Sequence, residues 1–599
     1  MTTAPQGVTA LPTPTWFGTA ERPQLGWWHL PASGEARGAV LLVPPLFRDY
    51  VLAHHAYRAV AEQLCDAGFA ALRFDLDGTG DSAGGNYDPD RVTAWLTSVR
   101  TAVAYAQAAG PKSLTLLGMR AGATLALHGS VGTAVDGLVL WDPSAARTFL
   151  REQSILFKIG LSESNLGDGE RAEADGTELP GFVVSPETSD ALKSLDKALP
   201  SPAPGTEVLV LTRPGQSPWG PLSAALEQCT VATAEAGGQP ELLNVDPGIS
   251  VIPAEPVAAI TAWCDRVLPR DTAPFTPEIR TEIVVPAPDG PVRESLVRLG
   301  PIGLFSILTE PVADTAPTGP TIVLLNNSTE HHIGPSRSWV PLARQWAAHG
   351  LRVARLDMSG LGDSPTRPGE QPERAYSPRA FDDVDDAAQA LRPDDPSDIV
   401  LIGLCSGAYQ TMESALALRA RGAVVINPVP WIVPAETADG KVDPRRQMLR
   451  SELPGVRRIG NSKALAGLKE SLPGWLWELF DLLKVRGSPA SGFRKLVNAG
   501  IDVLVVFGAF DAEPYEKRAP RTLRKLARTG RFRMVVIPDL DHAMLASAPR
   551  EQALSLVSSY VLEHFAPRNP GEASGARRDI SLGHADAVTG RRGDDAAPV

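Results

Sequence analysis

The segment that decides the fold spans residues 398–420 and reads DIVLIGLCSGAYQTMESALALRA. It begins with the apolar run DIVLI, which is typical of a buried parallel strand, and continues into AYQTMESALALRA, whose apolar residues recur at helical spacing. Between them lies GLCSG, in which a glycine stands two positions before and two positions after Cys405. Such glycines let a helix pass close to the preceding strand while the residue between them points away from the core. The segment therefore predicts a strand, a sharp turn and a helix, with the thiol of Cys405 presented at the turn.

The same order of elements occurs twice along the chain. LCDAGFAALRFDLDGTGDS at 64–82 corresponds to WAAHGLRVARLDMSGLGDS at 346–364, with a constant offset of 282 positions. Repeats are sought first because a missed repeat misassigns the whole fold. In both halves, short Val/Leu/Ile runs alternate with amphipathic stretches, which is the pattern of a parallel sheet with helices on both faces. We therefore predict an α/β fold made of two tandem domains of one kind.

The domain boundaries follow from this repeat. A chain of 599 residues is long enough for several domains. We expect a first domain at 1–270 and a second at 271–566, the second with a lid insertion at about 430–500. Residues 567–599 lack apolar periodicity, so we expect a disordered tail there.

Composition excludes several classes of protein. Four scattered cysteines do not make a disulfide framework or a zinc site, and we expect no metal and no cofactor. The net charge of -12 argues against a surface built as a whole for nucleic acid. No run of about 18 apolar residues predicts a membrane span, and the N-terminus lacks the pattern of a signal peptide. These features, with a Gly- and Pro-rich composition, favour a bacterial cytoplasmic protein.

An acid and a histidine follow Cys405 in chain order. IDVLVVFGAFDAE reads as a strand followed by Asp511, and FRMVVIPDLDHAM reads as a last strand followed by His542. Nucleophile, acid and base in this order are typical of one catalytic arrangement, in which the acid orients the histidine from a different loop. Asp539 and Asp541 compete for the acid role, but a carboxylate beside His542 in sequence is poorly placed to orient it. The alternative for Cys405 is a buried structural thiol.

These motifs resemble the α/β-hydrolase superfamily. In NNSTEHHIGPSRSW, RLDMSGLGDS and IGLCSGA, the second half resembles a branch associated with exosortase systems and exopolysaccharide loci. That branch carries cysteine at the sharp turn between strand and helix, which is called the elbow. The resemblance implies two tandem α/β-hydrolase-like domains and a Cys405, Asp511 and His542 triad. It also implies that His331 and Arg337 could touch substrate, although both could equally be surface residues. Polyhydroxyalkanoate synthases and dienelactone hydrolases are similar in placing cysteine at this elbow.

The chemistry expected at the elbow is acyl transfer through a thioester. His542 would take the thiol proton, and the backbone N–H of Ser406 and one from the loop of Asn327 would hold the oxyanion. Asn327 could instead be a turn residue. Water as acceptor would make the protein a thioesterase or esterase, and another acceptor would make it an acyltransferase. A non-catalytic binding or scaffold protein made of two degenerate domains is the alternative.

In the first half, the elbow carries Arg120 in place of a nucleophile. Gly118 and Gly122 are kept, but an arginine cannot serve as a nucleophile, and no histidine occurs between His128 and His331. We therefore predict a degenerate, non-catalytic domain. Either it is a packing partner, or Arg120 at a helix N-terminus binds a carboxylate or phosphate.

Two basic stretches in the second half indicate an anionic partner. Residues 441–500 hold 12 basic and 5 acidic residues, and residues 516–533 hold 8 basic and 1 acidic. Solvated helix faces are the plain explanation, but both stretches together suggest acyl-CoA or an acidic acyl carrier protein. No stacking platform supports nucleic acid. Within the predicted lid, PGWLWELFDLL places Trp475 and Trp477 as candidate substrate contacts.

Overall fold

The computed structural model describes residues 11–163, 175–312, 319–377, 379–428 and 490–567. The strands of the first half are β1 Thr13–Gly18, β2 Pro23–His29, β3 Glu35–Ala36, β4 Ala39–Val43, β5 Ala70–Phe74, β6 Leu114–Met119, β7 Gly137–Trp141, β8 Thr177–Leu179, β9 Phe182–Val184, β10 Glu207–Thr212, β11 Thr230–Glu235 and β12 Ala273–Pro274. Its helices are α1 Arg48–Asp66, α2 Arg91–Ala108, α3 Ala121–Ser130, α4 Ala146–Glu163, α5 Pro186–Leu195, α6 Gly220–Ala225, α7 Gln239–Leu243 and α8 Ala254–Val267.

The second half repeats this order. Its strands are β13 Glu282–Val285, β14 Val292–Leu299, β15 Leu304–Pro311, β16 Thr321–Leu324, β17 Arg352–Leu356, β18 Ile399–Leu404, β19 Gly422–Ile426, β20 Asp502–Gly508 and β21 Phe532–Ile537. Its helices are α9 Trp339–Ala348, α10 Ala380–Leu391, α11 Ser406–Leu418, α12 Ser491–Asn498, α13 Ala509–Arg518, α14 Pro520–Ala527 and α15 Ser547–Phe565.

The two large sheets share one topology. The first has the order β1-β2-β5-β4-β6-β7-β10-β11, and the second has β14-β15-β17-β16-β18-β19-β20-β21 with β13 added at the β14 edge. In both, the first strands pair antiparallel and the rest pair parallel. The predicted fold class, a mostly parallel sheet with helices on both faces in each half, is confirmed.

The core of each half consists of apolar layers on both faces of its sheet. Leu41 and Leu116 pack on one face with α2 and α3, whereas their neighbours Leu42 and Leu117 pack on the other with α1 and α8. Successive residues of a strand point to opposite faces, so a strand covered on both sides must be apolar throughout. This explains the uniform Val/Leu/Ile runs in the sequence.

Both large sheets lie within one compact unit that ends at Ala566. Residues just after the predicted boundary at 270 pair with the first half, because β12 is antiparallel to β3. The boundary near residue 270 stays a prediction. The predicted tail at 567–599 lies outside the described residues from 568 onward, and so does the predicted lid at about 430–500 up to residue 489. Within the described ranges, no helix is long and apolar enough to cross a membrane.

Two aspartates, each in a turn after a strand, form ion pairs that join the halves. Asp81 of the first half pairs with Arg355 of β17, and Asp363 of the second half pairs with Arg73 of β5. The offset of 282 relates Asp81 to Asp363 and Arg73 to Arg355, so the contact has the reciprocal pattern of a two-fold interface. Apolar residues from both halves pack beside it: Trp16, Leu25, Trp27, Leu296, Phe305 and Ile307.

Candidate active site

Cys405 lies at the turn between β18 and α11 in a strained conformation. Its φ is 53° and its ψ is -111°, a region that non-glycine residues rarely occupy. A Cβ on Gly403 would lie 2.2 Å from the carbonyl carbon of Gly407, and one on Gly407 would lie 2.4 Å from the carbonyl oxygen of Asn326. Both glycines are therefore needed for the close passage of strand, helix and loop. The thiol is partly exposed.

Asp511 and His542 are brought together from two loops. The Nδ1 of His542 lies 3.0 Å from each carboxylate oxygen of Asp511, which is in the first turn of α13. The competing acids are placed differently: Asp541 accepts backbone N–H groups at the start of α15, and Asp539 is exposed. Asp511 is thus the carboxylate that the structure places against the imidazole.

Electrostatics favour a proton on His542. Burial opposes its charged form, but hydrogen bonds and charges of Asp511 and Cys405 raise its pKa to about 10. Because Nδ1 is committed to Asp511, Nε2 is the nitrogen left for the sulfur. A protonated imidazole beside a cysteine is an arrangement that supports a reactive thiolate.

The two predicted oxyanion residues lie on either side of the elbow. Ser406 is buried and is the first residue of α11, where a backbone N–H has no partner inside the helix. Asn327 is in the loop after β16, and its carbonyl accepts the N–H of Glu330 at 3.0 Å, so it is also a turn residue. The next residue, Ser328, donates its N–H to Ser406 Oγ at 2.8 Å and ties the loop to the elbow.

Tyr376 was missed by the sequence analysis. Its hydroxyl lies 3.9 Å from the sulfur of Cys405, and its ring packs near Tyr409 of α11. Burial, followed by the neighbouring Cys405, raises its pKa above the usual value for tyrosine. No motif marks this residue, because it comes from an irregular loop between β17 and α10.

His331 and Arg337 pack against the first half and are not surface residues, whereas their contact with substrate stays a prediction. The ring of His331 stacks on His54 at 4.2 Å between centroids, and Arg337 donates to the carbonyls of Gly80 and Ser82. The loop after β16 runs along the first half, so both side chains are buried between the halves. Trp475 and Trp477 lie outside the described residues, as does most of the basic segment 441–500.

Arg120 has the same backbone shape as Cys405 but different surroundings. Its φ is 56°, and its guanidinium is buried against Asp49, Asp142 and Glu152. The Asp49 and Asp142 oxygens lie 3.5 and 3.3 Å from it. An incoming anion would have to displace these acids, so the geometry favours an internal ion-pair cluster over an anion site, which the sequence left open as one of two alternatives.

Comparison with known proteins gives a family for the second half. A family model described as "Alpha/beta hydrolase family" matches residues 323–554, which contain Cys405, Asp511 and His542. No curated protein matches the chain. The family match supports a hydrolase.

Solved structures that resemble the chain cover less than half of it. A lidless α/β serine hydrolase from Xanthomonas campestris is 17% identical, covers 46% of this chain and 97% of its own, and has a TM-score of 0.26. Est1E from Butyrivibrio proteoclasticus, solved with ferulic acid, is 14% identical over 42% of this chain and 96% of its own, with a TM-score of 0.29. Dienelactone hydrolase from Anabaena variabilis is 12% identical, covers 46% of this chain and 99% of its own, and has a TM-score of 0.28. Residues 323–554 of the second half thus match the alpha/beta hydrolase family.

Proposed function

We propose that the protein is an acyl hydrolase or acyltransferase that forms a thioester at Cys405. The observation that carries the proposal is the hydrogen bond between His542 and Asp511 beside a glycine-flanked elbow, whose Cys405 also raises the pKa of His542. A structural cysteine has no need of such a histidine or of strained backbone. The family match supports the hydrolytic branch of the proposal.

The proposed steps use only side chains already described. His542 holds the thiol proton in an ion pair with the Cys405 thiolate, the thiolate attacks the acyl carbon, and the N–H groups of Ser406 and Asn327 receive the developing oxyanion. When the bond to the leaving group breaks, His542 returns the proton to that group. A second nucleophile, water or another acceptor, then gives its proton to His542 and attacks the thioester, and the C–S bond breaks to release Cys405.

An anionic acyl carrier is the proposed source of the acyl group. Helix α14 lies next to α13, which carries Asp511 in its first turn, and Arg524 and Lys525 of α14 are exposed, as is Arg528 directly after it. Positive charge near the entrance raises encounter rates with CoA phosphates or an acidic carrier protein, and salt screens it.

Intact-protein mass spectrometry after brief exposure to acyl-CoA, acyl-carrier and p-nitrophenyl esters tests the mechanism. We expect wild type to gain one acyl mass, Cys405→Ala to gain none, and His542→Ala to keep any adduct for longer. Cys229→Ala is the matched control, because it removes another partly exposed thiol. An adduct that survives in Cys405→Ala, or no adduct and no turnover with any donor, contradicts the proposal. Acylation by carrier-linked donors that is unaffected by salt contradicts the electrostatic part alone.

A further inference from the structure

The first half contacts the loop that carries Asn327. Thr329 donates its hydroxyl to the carbonyl of Pro247 at 2.6 Å, and a Cβ on Gly248 would lie 2.8 Å from Ser328 Oγ. Arg48 fixes the same turn by donating to the carbonyl of Val245 at 2.8 Å. Since Ser328 is hydrogen-bonded to Ser406, the contact continues to the residue after the nucleophile.

The first half also contacts the loop that carries His542. The N–H of Gly181, in the turn between β8 and β9, donates to the carbonyl of Leu545 at 3.0 Å. Glu178 accepts the hydroxyl of Ser547 at 3.0 Å, and Leu545 and Ala546 pack against Phe157 and Leu161 of α4. The loop is therefore held by hydrogen bonds and by apolar packing.

A single cavity brings these contacts together. It is lined by Pro180 and Pro247 of the first half and by Glu330, Ser336 and Ala543 of the second. Gly181 lies next to the lining residue Pro180, and a Cβ on it would lie 1.9 Å from Ser336 Oγ. One residue of the first half thus touches the segments that follow both Asn327 and His542.

The two segments of the first half that make these contacts correspond in position to the histidine loop and the lid insertion of the second half. The loop between β11 and α8, residues 236–253, corresponds to the histidine loop 538–546 between β21 and α15 but is twice as long. It lacks histidine and carries Pro247 and Gly248 to the second half. The β8–β9 hairpin occupies the insertion between β7 and β10.

We propose that the first half is a positioning partner that holds the oxyanion loop and the histidine loop of the second half in register around Cys405. This inference rests on the proposed function and deepens it, because it gives the degenerate half a part in catalysis. A catalytic group must be held within about 0.5 Å of its working position, and a displacement of about 1 Å costs about 10²-fold in rate. The positioning residues are Gly181 and Glu178 for the histidine loop and Pro247 for the oxyanion loop.

The test compares two glycine substitutions in the full chain. Gly181→Ala adds a methyl group against Ser336 at a φ of 79°, whereas Gly205→Ala adds one at a φ of 83° where nothing lies within 4 Å. Both variants place alanine at a similar positive φ, so their difference reports the contact with the second half. We expect Gly181→Ala to lower kcat by about ten-fold or more with KM little changed, and Gly205→Ala to behave as wild type.

A second pair of variants guards against loss of folding in Gly181→Ala. Glu178→Ala removes the acceptor of Ser547, and Glu178→Gln keeps an acceptor oxygen in place. We expect the alanine variant to lower kcat and the glutamine variant to restore it, at equal thermal stability. Equal loss of kcat in Gly181→Ala and Gly205→Ala, or no loss in either Gly181→Ala or Glu178→Ala, overturns the inference.

Alkylation of Cys405 by iodoacetamide across pH separates the two proposals. The alkylation rate reports how much of Cys405 is thiolate beside His542, and it can be measured without a substrate. A change of this pH profile in Gly181→Ala, absent in Gly205→Ala, supports positioning even if no acyl donor reacts. If wild type forms the acyl adduct while all positioning variants match it in alkylation and turnover, the proposed function stands and the inference fails.

Discussion

At the scale of single residues, the order of Cys405, Asp511 and His542 along the chain predicted a triad, and Asp511 does lie 3.0 Å from the Nδ1 of His542. The basis of the prediction is that the carboxyl ends of parallel strands share one edge of a sheet, so the loops after β18, β20 and β21 converge there. The same reasoning could not place His331 or Arg337. Both follow β16, but the direction of each side chain depends on how the two halves pack against this loop. Tyr376 could not be predicted because its loop has no periodicity.

Asp511→Asn tests the role of the acid. The asparagine keeps the shape of the side chain but loses the charge that helps to raise the pKa of His542. We expect kcat/KM to fall by about 10²- to 10⁴-fold, the range that a positioned general base contributes. Steady-state kinetics on an activated ester measure this change. Asp539→Asn is the matched control because Asp539 is exposed, and a similar loss in both variants would contradict the assignment.

At the scale of elements, strand, elbow and helix have the same geometry in both halves. A Cβ on Gly122 would lie 2.5 Å from the carbonyl oxygen of Pro44, as one on Gly407 would lie 2.4 Å from that of Asn326. The sequence predicted this shape because the glycine spacing is independent of the residue at the elbow. It could not predict the lengthened 236–253 loop as a contact, since length alone does not say what a loop touches.

Substituting alanine at Gly122 and at Gly407 separates the shape of the elbow from its chemistry. Each methyl group meets a backbone oxygen, which cannot move aside as a side chain can, so we expect each variant to lose about 1–3 kcal/mol of stability. Only Gly407→Ala should also lose most of kcat/KM, because it displaces the turn that holds Cys405. Urea unfolding and ester hydrolysis measure both effects. An equal loss of activity in Gly122→Ala would count against this separation.

At the scale of the whole molecule, the buried contact between the halves is a network of charges. His332 lies between Asp357 and Asp81, with its two ring nitrogens 2.7 Å from their oxygens. Burial disfavours the charged ring, but the two carboxylates raise its pKa to about 10. The repeat predicted two similar halves, but the residues that join them could not be recognised, because buried ion pairs and exposed charges look alike in a sequence.

The pH dependence of stability follows from His332. The pKa of histidine in an unfolded chain is about 6.5, below the folded value, so protonation stabilises the fold. This contribution is complete below about pH 6.5 and is lost as the pH rises through about 10. We expect the free energy of unfolding to decline from pH 7 to 10 in wild type and to decline less in His332→Gln. Urea melts across this range measure it, with His349→Gln at the surface as control. Identical slopes in wild type and His332→Gln would contradict the expectation.

The two reciprocal ion pairs, Asp81 with Arg355 and Asp363 with Arg73, also affect which residues of each half are free to differ. A self-pairing surface that would assemble two separate chains is here closed within one polypeptide, which fixes the ratio of the two partners at one to one at every concentration. The two halves therefore need not have the same residues. The first half has Arg120 in place of a nucleophile at its elbow, yet it keeps the Asp81 turn and Arg73 that pair with the second half. The unequal roles proposed above for the two halves are therefore compatible with a pairing that dilution does not separate.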